Sequence, residues 1–307
     1  MGSDRCPLGP GLRPDQIDTA TRSLWRYRRA LRPASAPMVT LGEGWTPLVG
    51  GKWDGNPVLW KLEYVTPSGS FKDRGIAVML NYVLERGIRS VGEDSSGNGG
   101  AALATYSAAA GVACRIYVPE ATSVSKIVQI AATGAEVIKV SGSRQAVADA
   151  AVNDLNTAER FYASHNWQPH FLEGTKTLAY EIWEALGFQT PAAIVVPVGG
   201  ASNLLGCHIG FSELIAAGQI SRMPRLYGIQ SEACAPLAAA FDPDARFSAP
   251  GPPTIAEGIA VPHPIRVNEI VEAVRSSAGA IIAVSEVQRR SSQGSCERYT
   301  QPRRSTR

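Results

Sequence analysis

After Lys72 the chain alternates between stretches of helical periodicity closed by glycine and short runs that are almost wholly apolar. No other feature restricts the fold as much. GIAVMLNYVLERG (75–87) carries apolar residues at helical spacing and ends on Gly87, where a left-handed helix terminus favours glycine. RSVGE (89–93) follows as a strand. The pattern repeats with helix GGAALATYSAAAG (99–111) and strand CRIYVP (114–119). Helix SVSKIVQIAATG (123–134), with Ser123 or Ser125 near its cap, and strand AEVIKV (135–140) come next. Further on, GTKTLAYEIWEALG (174–187) and SNLLGCHIGFSELIAAG (202–218) read as helices, while AAIVVPVGG (192–200) and RLYGIQSE (225–232) read as strands. Apolar strands separated by helices predict parallel sheets covered by helices on both faces. The fold class is α/β.

Composition narrows the function classes. With 307 residues the chain holds one large domain or two smaller ones, each with its own core. A hydrophobic fraction of 44% and a charged fraction of 19% are those of a soluble globular protein. No apolar run approaches the roughly 20 residues needed to cross a bilayer. The N-terminal MGSDRCPLGPGLRPDQ lacks the apolar stretch of a signal peptide, so the expected location is cytoplasmic. The cysteines at 6, 114, 207, 234 and 296 form no Cys-x-x-Cys pair, which argues against a metal site or a disulfide framework. The formal net charge of +3 becomes −2 once the segment from Arg289 is set aside, since that segment holds six arginines and one acid. The basic balance belongs to a tail, and no nucleic-acid surface is expected of the fold.

In doubly wound sheets, ligands bind in the loops that lead from strand ends into helices. Three loops stand out. VPVGGASNLLG (196–206) empties a buried strand into Gly199, Gly200, Ala201, Ser202 and Asn203 before a helix. Small residues let the backbone approach an anion, and a helix N-terminus points free N–H groups at it. A phosphate cup and a tight turn that needs glycine for backbone reasons are equally good readings of these residues. DSSGNGGAA (94–102) offers Asn98 and several amides before another helix; its plain alternative is a glycine turn with Asn in a left-handed conformation. SGSFKDRG (68–75) brings a lysine into the same class of position. The chain has six lysines against 24 arginines, yet position 72 is lysine, the residue whose amine can attack a carbonyl. A phosphate cup, a polar loop and a lysine together fit pyridoxal 5′-phosphate.

PSGSFKDRG resembles the lysine motif of the fold type II pyridoxal-phosphate enzymes, the tryptophan synthase β-like superfamily, and within it threonine synthase and its relatives. The resemblance runs from about Leu24 to Glu286 and includes LGEGWTPLV (41–49), SFKDRG (70–75), SSGNGGAA (95–102), FLEGTKTLAYEIWEALG (171–187), VPVGGASNLLG and TIAEGIAV (254–261). LGEGWTPLV and SFKDRG discriminate best. The serine-glycine-asparagine and glycine loops are shared with serine and threonine dehydratases and cysteine synthases.

The resemblance implies that Lys72 binds the cofactor aldehyde and later shuttles protons. It implies that Asn98 bonds the cofactor's 3′-oxygen and that Gly199, Gly200, Ala201, Ser202 and Asn203 hold its phosphate. Ser95, Ser96, Gly97 and Gly99 would line the substrate site, and Glu257 and Gly258 would pass close by through their backbone. The implied reaction converts O-phospho-L-homoserine and water to L-threonine and phosphate. The alternatives are a serine/threonine dehydratase-like ammonia-lyase and an impaired chain that keeps the cofactor fold. The implied layout is a large discontinuous domain of residues 1–65 and 171–288 around a small mobile domain of residues 66–170, in a homodimer. Two departures are visible. Position 99 is glycine where threonine synthases often carry threonine or alanine. From 289 onward the Arg-, Ser- and Gln-rich sequence lacks the family's Glu-Pro-Ser/Thr segment, so 289–307 reads as a disordered, truncated or frame-shifted tail.

Overall fold

The computed structural model describes residues 8–32, 36–157, 160–244 and 254–285. The tail expected at 289–307 lies outside them. By packing, the chain divides into two units, residues 1–192 with 205–224, and residues 193–204 with 225–307.

The first unit opens, after short 3-10 turns, with an antiparallel hairpin of β1 (Leu48–Trp53) and β2 (Asn56–Lys61). Its turn is Asp54-Gly55, with φ of +45° and +81°. An Asp-Gly pair favours this tight primed turn, and it was the one legible sign of a hairpin in a chain that otherwise reads as parallel. Then the expected alternation begins: α1 (Lys72–Glu85), β3 (Ser90–Glu93), α2 (Asn98–Ala110), β4 (Ala113–Pro119), α3 (Val124–Ala132), β5 (Glu136–Val140), α4 (Arg144–Thr157) and β6 (Phe161–Tyr162). The strands form one parallel sheet in the order β5-β4-β3-β6. Gly87 and Gly111 follow α1 and α2 with φ of +74° and +63°, as their helix-closing role requires. Ala101, Ala102 and Ala104 of α2 are buried, and their small side chains let this helix pack against both α1 and β4.

Two helices follow without a strand between them, α5 (Pro169–Thr175) and α6 (Thr177–Ala185). α5 packs against α1 with backbones nearly touching: a Cβ on Gly174 would collide with the Arg74 carbonyl, and one on Gly75 with the Phe171 ring. This crossing sets Phe171 beside the start of α1. Buried apolar residues from α1, α2, β3 and β4 join Leu24, Trp25, Leu31, Val39 and Phe171 in one continuous core.

The second unit holds β7 (Ala193–Pro197), the loop into α7 (Ser202–Ala216), β8 (Arg225–Ser231), α8 (Pro236–Phe241), α9 (Val267–Ser276) and β9 (Ala280–Val284). Its strands are parallel in the order β7-β8-β9. The later part of α7 packs with the first unit. α9 buries Ile270, Val271, Ala273 and Val274. Among the described residues no helix is long and apolar enough to cross a membrane, and no group of His, Cys, Asp and Glu could hold a metal ion.

Candidate active site

Lys72 is the first residue of α1, and its neighbours in sequence fasten it there. Asp73 accepts hydrogen bonds from the Ser68 backbone N–H (2.7 Å) and hydroxyl, closing the loop that precedes the helix. Arg74 is fully buried and forks onto two carboxylates, Nε to Glu63 (2.6 Å) and Nη1 to Glu181 (2.6 Å), with further bonds to Thr46 and Thr177. Lys61 adds a second cation to Glu181 at 2.7 Å. Asp73 and Arg74 are therefore structural, and they leave Lys72 as the one residue of the trio whose charge is not consumed. Lys72 is half-buried, with Nζ 4.4 Å from the Phe71 ring centroid and 5.6 Å from that of Phe171. Burial pulls its amine down to about 8, partly opposed by the negative charge of Glu93. A lysine so placed is still mostly protonated near physiological pH, but it keeps a far larger neutral, nucleophilic fraction than an ordinary lysine.

The second loop leaves β3 at Glu93. Asn98 opens α2 with Gly97 as its cap, so the alternative of a left-handed asparagine turn does not apply. Its glycines serve close approach. A Cβ on Gly99 would lie 2.6 Å from His165 Nδ1 and 3.1 Å from Ser95 Oγ, and one on Gly100 would collide with the Ser95 carbonyl. Gly97, by contrast, faces open space.

His165 was not expected in the site, nor was its partner. β3 pairs with β6 so that Gly92 faces Tyr162, and the Ala163 N–H continues the ladder to the Gly92 carbonyl at 2.8 Å. Two residues later His165 lands beside Glu93, donating its backbone N–H (3.2 Å) and its Nδ1–H to Glu93 Oε1. The His165 ring stands 5.5 Å from Phe171, whose ring also flanks Lys72. Lys72, the Ser95–Gly99 loop and the Glu93–His165 pair thus gather around one phenylalanine.

In the second unit, β7 empties into Val198, whose N–H bonds the Ile229 carbonyl at 2.8 Å, and then into the glycine loop. Neither Gly199 nor Gly200 has a positive φ; Ala201 does, at +55°. Backbone strain is therefore not what calls for glycine here. A Cβ on Gly199 would meet Val261 Cγ2 at 2.9 Å and the Ile259 backbone at 3.0 Å, so this glycine lets the 257–261 segment close onto the loop. Glu257-Gly258-Ile259 form a short 3-10 turn, and Gly258 faces open space. The structure thus brings Gly199 against Ile259 and Val261, the residues that follow Glu257 and Gly258. The N-terminus of α7 begins at Ser202 and Asn203, and Asn203 Oδ1 is buried without a partner among the described residues. The start of a fifteen-residue helix and a loop of small residues present backbone N–H donors of the kind a phosphate group requires. The residues present fit pyridoxal phosphate.

Comparison with known proteins agrees. The chain matches the pyridoxal-phosphate dependent enzyme family over residues 39–295. It is 34% identical over 280 residues to a threonine synthase of Methanosarcina acetivorans, covering 89% of this chain and 69% of that one. It is 36% identical over 272 residues to a threonine synthase of Methanocaldococcus jannaschii, covering 86% of this chain and 67% of the relative. Among solved structures, serine racemase from Dictyostelium discoideum superposes with a TM-score of 0.67 at 22% identity, over 80% of this chain and 77% of that one. The fold is that of the type II enzymes, their cofactor is pyridoxal 5′-phosphate, and the chain belongs to the pyridoxal-phosphate dependent enzyme family as a threonine synthase-like lyase.

Proposed function

We propose that this lyase converts O-phospho-L-homoserine and water to L-threonine and phosphate. The observation that carries the reading is the 34–36% identity to threonine synthases across nearly the whole chain, against 19–24% for its structural neighbours. Lys72 is the residue assigned to the cofactor's aldehyde, Asn98 to its 3′-oxygen, and Gly199, Gly200, Ala201, Ser202 and Asn203 to its phosphate. When bound, the cofactor supplies an electron sink that acidifies carbon–hydrogen bonds next to the substrate's amino group. Lys72 Nζ, with its amine held down near 8, is suited to accept and return those protons. Ser95, Ser96, Gly97 and Gly99 orient the substrate carboxylate with backbone and hydroxyl donors, and Glu257 and Gly258 border the substrate. Movement of residues 66–170 toward the rest of the chain serves to exclude water from the reacting atoms.

A second reading is an ammonia-lyase acting on serine or threonine. It is favoured by fold neighbours such as the L-serine ammonia-lyase from Rhizomucor miehei, with a TM-score of 0.64 at 23% identity, 78% of this chain and 76% of that one being covered. The experiment is to offer the purified chain O-phospho-L-homoserine, L-threonine and L-serine in parallel. Phosphate release with threonine formation is expected from the first. Formation of a 2-oxo acid from the other two, with no phosphate release, would replace the first reading by the second. Borohydride reduction followed by peptide mapping is expected to fix the cofactor on Lys72; a label on another lysine removes that assignment.

A further inference from the structure

Most buried charge in the first unit has several partners. Glu43 takes hydrogen bonds from Trp25 Nε1 (2.5 Å), the Tyr106 hydroxyl (2.9 Å) and the Leu41 N–H (2.8 Å). Glu93 has one. Its side chain is 0% exposed, and among the described residues only His165 bonds it, through the backbone N–H (3.2 Å) and Nδ1–H to Oε1, while Oε2 has no partner. A buried carboxylate is tolerated where it is paired, so this contact fixes both the place and the tautomer of the imidazole.

So held, the ring stands against the start of α2. A Cβ on Gly99 would lie 2.6 Å from His165 Nδ1 and 2.8 Å from Cε1, closer than a side-chain carbon approaches such atoms. His165 therefore fills the space that a side chain at position 99 would take. Nδ1 is spent on Glu93, which leaves Nε2 for a ligand. Nε2 makes no hydrogen bond to a described residue, and the His165 side chain keeps 11% of its surface open. Phe171 stands 5.5 Å from the His165 ring and 5.6 Å from Lys72 Nζ, so one phenyl ring adjoins both.

On the reading that Lys72 carries the cofactor and that residues 95–99 line the substrate site, we propose that His165 is a substrate-binding residue of that loop. Its imidazole stands in for a side chain at position 99, and Nε2 hydrogen-bonds the α-carboxylate of the amino-acid substrate. An anion arriving at Nε2 favours the doubly protonated ring, with the second proton drawn from water. Nδ1–H then stays on Glu93 and Nε2–H donates to the carboxylate, so the cation lies between two anions. The carboxylate is the acid group expected there, because it is borne by the carbon whose amino group meets the cofactor.

The test uses the cofactor-loaded chain and diethyl pyrocarbonate, which modifies accessible imidazole nitrogens. Labelling of the His165 peptide is followed by mass, with the exposed His263 as internal reference. L-threonine has the carboxylate and no phosphate; its binding is followed separately by the cofactor's absorbance. Saturating L-threonine is expected to slow labelling of His165 about tenfold and to leave His263 unchanged, and inorganic phosphate is expected to leave both unchanged. Protection by phosphate, or none by bound L-threonine, overturns the proposal. His165→Asn keeps a donor for Glu93 in the place of Nδ1 and removes Nε2. It is expected to keep the parent's melting temperature and to weaken L-threonine about tenfold, the loss of one charge-assisted hydrogen bond, with KM for O-phospho-L-homoserine rising more than kcat falls. Parent-like affinity overturns the proposal. Should that variant not fold, Gly99→Ala attacks the same contact from the other side. Its Cβ displaces the ring and is expected to weaken L-threonine, and parent-like affinity again overturns the proposal. A parent chain whose cofactor absorbance responds to no amino acid removes the functional reading and this inference together. A parent that responds, with His165 unprotected, removes only the inference.

Discussion

Two glycines that look equivalent in sequence have opposite surroundings, and this separates packing from ligand contact. Gly199 is closed in by Val261 and the Ile259 backbone, whereas Gly258 has nothing within 4 Å of where a Cβ would stand. Gly199→Ala forces the 257–261 segment away and is expected to cost roughly 1–3 kcal/mol of stability, as other overpacked sites do. Gly258→Ala, in a helical turn with open space, is expected to change stability by no more than about 0.5 kcal/mol. If Gly258 borders the ligand, that variant nonetheless weakens binding. Urea unfolding of cofactor-free protein and a titration with pyridoxal phosphate and substrate read the two effects separately. Ligand affinity equal to the parent's in Gly258→Ala would show that the 257–258 turn is no part of the site.

At the scale of elements, what the sequence revealed was what lies close together in the chain. Each strand–helix unit from α1 to β5 was readable because apolar period and terminal glycine sit within a dozen residues. The motif around Lys72 and both glycine loops stand out in the sequence for the same reason, as candidates. The β1–β2 hairpin has a local signal of its own, the Asp54-Gly55 turn. The Glu93–His165 pair was out of reach, because its members are 72 residues apart and meet only through the β3–β6 register. Arg74 likewise joins Glu63 to Glu181, 107 residues away, and nothing local marks that bond. This ion cluster ties the start of α1 to α6 and to the residues after β2. Burial pushes the Glu181 carboxyl up, but the Arg74 guanidinium and Lys61 outweigh it and hold the group down at about 2, against an ordinary value of 4.5. Its folded value is the lower one, so its contribution to stability is full above about pH 4.5 and disappears as pH falls toward 2. Glu181→Gln leaves the buried Arg74 guanidinium with Glu63 as its one carboxylate and takes the carboxylate from Lys61, and it is expected to cost about 1–3 kcal/mol at neutral pH. Measured by thermal unfolding, the gap between parent and variant should narrow on acidification through that window. A gap that stays constant would mean that Glu181 is not ionised in the folded chain.

For the molecule as a whole, one face of the second unit's sheet carries exposed apolar side chains. A parallel sheet normally has both faces covered. Here the register sets Val195, Tyr227 and Ala280 abreast, with Pro197, Ile229 and Ile282 in the next row on the same face. The opposite face buries Val196, Leu226 and Ile281. On the first face Val195 is 65% exposed and Ile282 44% exposed. Contiguous apolar surface of this kind promotes association between molecules. Threonine keeps the β-branched shape and strand preference of valine and isoleucine while adding a hydroxyl that water can solvate. The pair Val195→Thr and Ile282→Thr is therefore expected to lower light scattering at high protein concentration while shifting unfolding free energy by about 0.5 kcal/mol or less per site, because neither side chain contributes much buried area. Scattering that stays at the parent's level, or a loss of several kcal/mol, would mean that this face is already covered in solution.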